Sequence, residues 1–584
     1  MIKYSDCLAE WLCQLGYTHC FYVGGGNIMH LVESLSRQMP CIPVIHEVAA
    51  GIAAEYFNAL HPDKKALALV TAGPGLSNIV TAIAGAFAES RELLVIGGQV
   101  KTADLSRGKL RQRGIQEIDG VSLVQSITKC AERWDAPVDY DTFYSRISQS
   151  WEGRKGPVFI EIPIDVQGIK VEFISKLDQI TPTPHSGISE GDWTQLRHYL
   201  SQATRPLILV GGGVDQRVAQ SLFPSWTTIP IATTWNGADR ISADHPLYVG
   251  RPNTWGQRSA NLILQQSDCV IALGTRLGMQ QTGFNWQEFV PHGVVIHVDI
   301  DPAELEKGHP RIDLPICADA NDILRRLATI SDIDCSDWIQ YCRMIRSEIP
   351  VFEPVNTTGG DFISPYHVVE TLSTLSGNDD VVVPCSSGSA FTIMMQVFTQ
   401  RGAQRIITNK GMASMGYGLS GAIGAAFAAP GQRVILVEGD GGFAQNLQEI
   451  GTAAINQLNL KIFIFDDSGY ASIRMTQRNY FGGRYVGCDR ETGLGLPNWQ
   501  KLFDAWGVPA MRVNRGFELT ESFQSLFNST GPAAFIVSVD PDQTYFPKIT
   551  SRILENGQIV SNPLHLMTPE LDETRWHRVA KYIK

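Results

Sequence analysis

Residues 433–470, RVILVEGDGGFAQNLQEIGTAAINQLNLKIFIFDDSGY, contain two short apolar runs, Val434 to Val437 and Ile462 to Phe465. Continuous apolar runs of this length, bounded by turn formers, are the pattern of strands buried on both faces of a parallel sheet. Each run ends in acid. The first delivers Asp440 between Gly439 and Gly441, the second delivers Asp466 and Asp467, and a helical stretch from about Leu447 to Leu458 joins them as a βαβ unit. Both acids therefore fall on the carboxyl edge of one sheet, where open α/β sheets bind their ligands. Glycines at that edge let backbone N–H groups approach a phosphate, and carboxylates hold a hard divalent cation that also takes phosphate oxygens. A lone Gly-Asp-Gly is usually an ordinary turn. The second acid pair, with Asp467 27 residues beyond Asp440 and behind a second buried strand, makes this the pattern of a metal and diphosphate site.

A chain of 584 residues has room for about three to four domains. Its 44% hydrophobic and 18% charged content is that of a globular protein, and a net charge of −11 excludes general nucleic-acid binding, which needs a basic excess. Eleven cysteines without Cys-x-x-Cys spacing read as reduced, packed thiols. The start, Met1 to Asp6, lacks a basic and apolar secretion pattern, and no run of about eighteen apolar residues suggests a membrane span. The expectation is a cytoplasmic enzyme with no membrane partner.

The rest of the chain repeats the strand-then-loop pattern. Cys20 to Val23 leads into Gly24-Gly25-Gly26, Cys41 to Ile45 into His46-Glu47, and Ala66 to Val70 into Gly73-Pro74-Gly75. The small-residue helix Ala49 to Ala54 after Glu47 predicts a close helix pairing. Turn formers at Thr181 to Gly187 read as a linker. Beyond it, Pro206 to Val210 runs into Gly211, Cys269 to Leu273 into Gly274-Thr275-Arg276, and Val294 to Val298 into Asp299-Ile300-Asp301. Such strand ends suit a nucleotide, with an acid on the ribose, and they fit an empty relic of the fold equally well. Further on, Asp380 to Val383 precedes Ser386-Ser387-Gly388-Ser389, a loop of hydroxyls and backbone donors suited to phosphate, and Met415 to Gly424 reads as a close-packed helix. The expected fold is α/β with three doubly wound parallel-sheet domains, at 1–180, 190–345 and 360–545, followed by a tail, 546–584, without a fold of its own, in which Pro563-Leu564-His565 lies over the site.

The Gly439-Asp440-Gly441 start and the acid pair at the end resemble the diphosphate-binding motif of thiamine diphosphate enzymes, which begins Gly-Asp-Gly and closes in Asn-Asn. The resemblance covers essentially the whole chain in that family's order: pyrimidine-binding, central, diphosphate-binding. It implies thiamine diphosphate as cofactor, with Gly388, Ser389, Gly439, Gly441, Gly442 and Tyr470 around the diphosphate. It also implies Mg2+ held by Asp440, by Asp467 and by the carbonyl of Gly469. Asp466-Asp467 in place of Asn-Asn adds negative charge beside the metal. Glu47, by itself a glutamate favoured at a helix start, answers to the family's glutamate that hydrogen-bonds the pyrimidine ring, so that the ring's amino group can take the proton from thiazolium C2. Val48 follows it where acetolactate synthases usually have Gln. Met415, by itself core filler, answers to the apolar wedge under the cofactor, with the backbone of Ala413 and Met415 on the pyrimidine edge. Gly211, Arg276, Asp299 and Asp319 answer to the segments with which acetolactate synthases bind FAD, which implies a flavin playing only a structural part. Family sites join the first domain of one subunit to the last domain of another, which implies a homodimer or homotetramer with Glu47 and Asp440 of one site on different chains.

The choice of reaction rests on the side chains near the reacting centre. Pyruvate decarboxylases carry a glutamate where this chain has Arg474, and a His-His pair where Lys101 to Gly120 holds no histidine. Benzoylformate decarboxylases use a serine and a histidine where Gly26 and Thr71 stand. Gln116-Glu117 and Lys129 resemble acetolactate synthase elements. Ser472, Ile473 and Thr476 replace that enzyme's Met, Val and selective Trp, which predicts an acceptor bulkier or more polar than a small 2-keto acid. The segment Ser472 to Gly483 resembles acetolactate-synthase-like enzymes of nucleotide-sugar and polysaccharide pathways. Its Arg474 and Arg478 suit a nucleotide diphosphate or a solvated helix face. The expected activity is a carboligase that decarboxylates a 2-keto acid such as pyruvate and transfers the acyl unit to a carbonyl acceptor, a keto-sugar among the candidates. Gly26, Gln116, Ser472, Ile473, Arg474 and Thr476 are expected at the substrate. Acetolactate synthase, 2-keto acid decarboxylase, cyclic-diketone hydrolase and a non-catalytic relative are the alternatives.

Overall fold

The two apolar runs are adjacent parallel strands, Val434–Gly439 and Leu460–Asp466, paired from Val434 with Leu460 to Gly439 with Phe465. Their side chains are buried on both faces, as continuous apolar strands require. The expected helical stretch begins at Leu447 as a 3-10 turn, Leu447–Glu449, that runs into the helix Ile450–Ile455 and stops three residues short of Leu458; a further short helix, Asp440–Phe443, precedes it. Gly441 and Gly442 weaken the first helix, and Asn446 turns its amide away to donate to the carbonyl of Gly416 at 2.6 Å.

The structure, a computed structural model, describes residues 1–61, 63–172 and 187–583. Of the linker expected at Thr181 to Gly187, residues 181–186 lie outside these residues. Among the described residues there are three six-stranded sheets, and the chain divides into two compact units. One gathers 1–183, 379–391 and 407–541; the other gathers 184–378, 392–406 and 542–584.

In the first unit, the sheet nearer the amino terminus runs in the order Cys41–Pro43, Tyr17–Tyr22, Lys65–Val70, Leu93–Gln99, Pro157–Pro163, Cys130–Arg133, parallel throughout. Five strands of the last sheet also belong to this unit, in the order Val381–Pro384, Val434–Gly439, Leu460–Asp466, Ala533–Ser538, Ala510–Val513. One apolar cluster is continuous between them, from Phe21 and Val95 to Leu436 and Ile464. The small-residue helix after Glu47 spans Glu47–Leu60 and packs on a second one, Tyr417–Ala428, which begins two residues later than expected because Gly416 takes a left-handed φ of 85°. Their approach is close enough that a Cβ on Gly424 would lie 2.1 Å from the carbonyl oxygen of Ala53. Beside this contact the buried Glu55 accepts from Arg91 Nη1 at 2.8 Å, Asn409 Nδ2 at 3.0 Å and the Tyr417 hydroxyl at 2.9 Å. Burial raises the pKa of Glu55, and the Arg91 guanidinium pulls it back.

In the second unit the sheet order is Tyr248–Gly250, Ile231–Thr233, Pro206–Val210, Cys269–Leu273, Val294–Asp299, Leu314–Cys317, again parallel. The tail is not featureless. Lys548–Ile549 pairs antiparallel with Met567–Thr568, and Glu573–Val579 is a helix. Within its own unit Pro563-Leu564-His565 packs on the central sheet's helices: Leu564 shares an apolar cluster with Leu262 and Val290, and Asn261 Nδ2 donates to its carbonyl at 3.0 Å. The apolar surface of Leu564 is what drives it there. All eleven cysteines are free thiols, and among the described residues no helix is long and apolar enough to cross a membrane.

Candidate active site

The site is built on the strand ends at Gly439 and Asp466. Asp440 opens its helix and turns its carboxylate inward, where Oδ1 accepts the N–H of Gly441 at 2.7 Å and Oδ2 the N–H of Gly469 at 3.0 Å. Asp467 is equally buried and meets Arg474 Nη2 at 2.8 Å. Gly469, with φ of 152°, passes so near Cys488 that a Cβ would lie 2.1 Å from its carbonyl oxygen, so only glycine is accommodated. The ring of Tyr470 lies against Gly441 in the same way, closing the cradle from the side.

Burial pushes Asp440 well above the usual carboxylate range, and the nearby Asp467 and Asp466 push it further. Asp467 is lifted by burial to about 7, against the downward pull of Arg474. Burial likewise lifts Glu438, one residue before Gly439, to about 8. Such a cluster is costly as bare anions, and a cation offsets that cost. Among the described residues no group of three His, Cys, Asp or Glu side chains could hold a metal. The Asp440 and Asp467 carboxylates and the Gly469 backbone lie at the same strand ends, and oxygen donors of this kind suit a hard cation also bound to phosphate.

Glu47 stands at the first position of its helix, 7% exposed, and its Oε2 accepts from Asn78 Nδ2 at 2.9 Å. The backbone leading into it is held by Glu449, a fully buried acid nine residues after Asp440, which accepts the N–H of Ile45 at 3.1 Å and of His46 at 3.0 Å. Asn78 and Glu449 were not singled out from the sequence, because an asparagine after Gly73-Pro74-Gly75 and a glutamate in a short helix carry no motif. Met415 is 38% exposed, Ala413 has a left-handed φ of 54°, and the Ser386 hydroxyl donates to the carbonyl of Ser414 between them, joining this segment to the loop of Gly388 and Ser389.

The comparisons with known proteins agree with this geometry. Residues 2–123 match the N-terminal TPP binding domain of thiamine pyrophosphate enzymes, 194–327 the central domain and 386–537 the C-terminal TPP binding domain. The chain is 30% identical to the probable acetolactate synthase large subunit of Methanocaldococcus jannaschii, over 100% of both chains. It is 30% identical to the acetolactate synthase large subunit of Corynebacterium glutamicum, over 86% of this chain and 81% of that one. It is 29% identical to the acetolactate synthase isozyme 2 large subunit of Escherichia coli, over 93% and 97%. The chain is a thiamine diphosphate enzyme of the acetolactate synthase-like family.

Within this thiamine diphosphate enzyme the expected substrate residues separate into two sets. Gly26 begins a turn whose neighbour Gly25 packs on Thr71, and Gln116, with a left-handed φ of 64°, lies against Gly73, so both sit at loops on the carboxyl edge of the first sheet. Ser472, Ile473 and Thr476 lie on the helix Ala471–Tyr480; Ile473 is 47% exposed and the Thr476 hydroxyl donates to the carbonyl of Ser472 at 2.9 Å. Arg474 departs from expectation. It does not face outward to a substrate but is 5% exposed and turned back onto Asp467, because a guanidinium in the first helical turn reaches the preceding loop and finds a buried carboxylate there.

In the central domain the expected nucleotide residues all lie at the carboxyl edge of the sheet, but their groups serve local structure. Gly211 donates its N–H to the Leu273 carbonyl at 2.8 Å, Asp299 accepts the N–H of Asp301 at 3.0 Å, and Asp319 caps its helix at the N–H of Asn321. Arg276 is exposed, and Lys307 donates to its carbonyl. At the same edge, after the strand Tyr248–Gly250, is a polar group that sequence reasoning missed. Arg251, Asn253 and Gln281 are buried, and Arg251 Nε and Nη1, Asn253 Nδ2 and Gln281 Oε1 have no hydrogen-bond partner among the described residues. Buried donors left unpaired cost about 1–3 kcal/mol each, which a polar ligand or ordered water offsets.

Proposed function

We propose that the protein is a thiamine diphosphate- and Mg2+-dependent carboligase that decarboxylates a 2-keto acid, pyruvate, and transfers the acyl unit to a carbonyl acceptor. The observation that carries this is the buried cradle in which Asp440 is bonded to Gly469 beside Asp467. Asp440, Asp467 and the Gly469 carbonyl would hold the metal, whose charge offsets the repulsion between the carboxylates. Thiamine diphosphate, when bound, supplies a nucleophilic carbon and a sink for the electrons released with carbon dioxide. Glu47, oriented by Asn78 and by the Glu449-held backbone before it, would hold the carboxyl proton that the bound cofactor exchanges, and Met415 would give it an apolar contact.

For the acceptor we take a carbonyl compound bulkier than pyruvate. The support is the open helix face of Ile473 and Thr476, which lacks the large indole that would close a pocket around a small acid. Arg474 does not argue for a phosphorylated or nucleotide-linked acceptor, because its charge is used on Asp467. The second reading is acetolactate synthase, favoured by the names of the relatives, in which the acceptor is a second small keto acid. Mass-spectrometric product analysis with pyruvate and a panel of aldehydes and ketones decides between them. Cross-products in excess of acetolactate support the first reading, and acetolactate predominating with every acceptor present establishes the second.

For the central domain we propose FAD in a structural role, supported by the unpaired donors of Arg251 and Asn253 at the sheet's carboxyl edge. Release of FAD on denaturation of the purified protein tests it, and protein that takes up no flavin after incubation with FAD rejects it. We further propose a homo-oligomer in which Glu47 and Asp440 of one site belong to different chains, on the family's pattern.

A further inference from the structure

Acid at position 467, where the family motif has asparagine, adds a negative charge at the place where a diphosphate must bind. The structure pairs that charge with a partner from the following helix. Arg474 Nη2 lies 2.8 Å from Asp467 Oδ1 and donates to the Asp467 carbonyl at 2.6 Å, while Nη1 reaches the Ser468 carbonyl at 3.4 Å. The two side chains are 5% and 4% exposed, so solvent screens the pair little. The same guanidinium borders Gly469, where an added Cβ would lie 3.0 Å from Nη1. Ser468, with φ of 64°, and Gly469 are both left-handed, a conformation that a loop keeps only when its surroundings hold it. Arg474 thus bonds Asp467 and Ser468 and borders Gly469, and it does so with a charge opposite to the one that Asp467 brings.

We infer that Arg474 is a positioning residue of the cofactor site: it clamps the Asp467–Gly469 loop in its metal-binding conformation and cancels the carboxylate at 467, so that aspartate and arginine together stand in for the family's neutral asparagine. This rests on the proposed metal and diphosphate site. The charge count gives the consequence. Arg474→Gln leaves the site one charge more negative and repels the diphosphate; Asp467→Asn leaves it one charge more positive; the double variant is neutral again.

The test is a double-mutant cycle read by binding. The dissociation constant of thiamine diphosphate at saturating Mg2+ is measured by fluorescence titration for the full chain, for Arg474→Gln, for Asp467→Asn and for the double variant, with Asp440→Ala as control. Coupled charged neighbours predict that Arg474→Gln binds roughly tenfold more weakly or worse and that adding Asp467→Asn recovers most of the loss. A double variant no better than Arg474→Gln overturns the inference, as does an Arg474→Gln protein with unchanged affinity. If Arg474→Gln fails to fold, a folded and binding double variant supports the pairing, and a double variant that also fails overturns it by making Arg474 a residue of the fold alone. Failure of the site itself looks different: Asp440→Ala then binds the cofactor and Mg2+ as the unaltered chain does.

Discussion

Asp440 Oδ2 accepts the N–H of Gly469 at 3.0 Å, a bond between residues 29 apart in the chain that ties the ends of two adjacent strands into one cradle. The bond orients the first acid and fixes the loop of the second. Removing the Asp440 carboxylate therefore costs the loop's anchor and, on the proposed reading, a metal ligand. Asp440→Ala is expected to emerge from gel filtration without thiamine diphosphate at any Mg2+ concentration, with its far-ultraviolet circular dichroism unchanged. Retention of the cofactor by that variant would show that the diphosphate is anchored elsewhere.

Glu47 is held by one side-chain donor, Asn78, at the start of a buried helix. Glu47→Gln keeps the size and the hydrogen bond but cannot share the proton, so activity is expected to fall on the order of 10²–10⁴-fold while cofactor binding persists. If sites are shared between chains, mixing Glu47→Gln with Asp440→Ala protein restores part of the activity, because one site in the mixed oligomer receives both native residues. No recovery after subunit exchange argues that each chain completes its own site.

Gly424 meets the backbone of Ala53 where the two small-residue helices cross. A methyl group there has to push against a carbonyl oxygen, which cannot rotate away as a side chain could. Gly424→Ala is expected to destabilise the first unit by about 1–3 kcal/mol, the range for overpacking, seen as an earlier thermal transition. An unchanged transition would mean that the helices part without cost.

His297 is fully buried, with Nε2 on the Thr275 carbonyl at 2.7 Å, and burial depresses its pKa from 6.5 to about 4. Between those values the unfolded chain binds a proton that the folded chain refuses. The stability that His297 contributes is thus full above about pH 6.5 and is lost as pH falls toward 4, up to about 3 kcal/mol by linkage. His565, depressed by burial to about 4, adds to the same slope. Because the raised carboxyls of Asp467 and Glu438 act in the opposite sense over this window, the comparison is between chains: His297→Gln is expected to lose less stability to denaturant than the unaltered chain as pH falls from 6.5 to 4. Equal slopes would remove His297 from the account.

Much of this was legible in the sequence because it depends on local pattern. The apolar runs Val434 to Val437 and Ile462 to Phe465 can only be buried strands, and the period of strand and glycine or acid repeats through all three sheets. Asp440, Asp466 and Asp467 were readable at one edge because parallel strands place their carboxyl ends together whatever else the chain does, while Gly469 entered only through the family resemblance. What was not readable depended on long-range contact. The sequence of Leu564 does not say which apolar surface it will find, and in the fold it is the cluster around Leu262 and Val290. Nothing near Glu449 in the chain marks it as the acceptor for the backbone before Glu47, 403 residues away from His46. Arg474 was the clearest divergence. From its neighbours it belonged to a charged helix face, open to a substrate. The tertiary structure turned it inward, because a carboxylate buried at 467 without a partner is strongly destabilising and the Arg474 guanidinium is within reach of it.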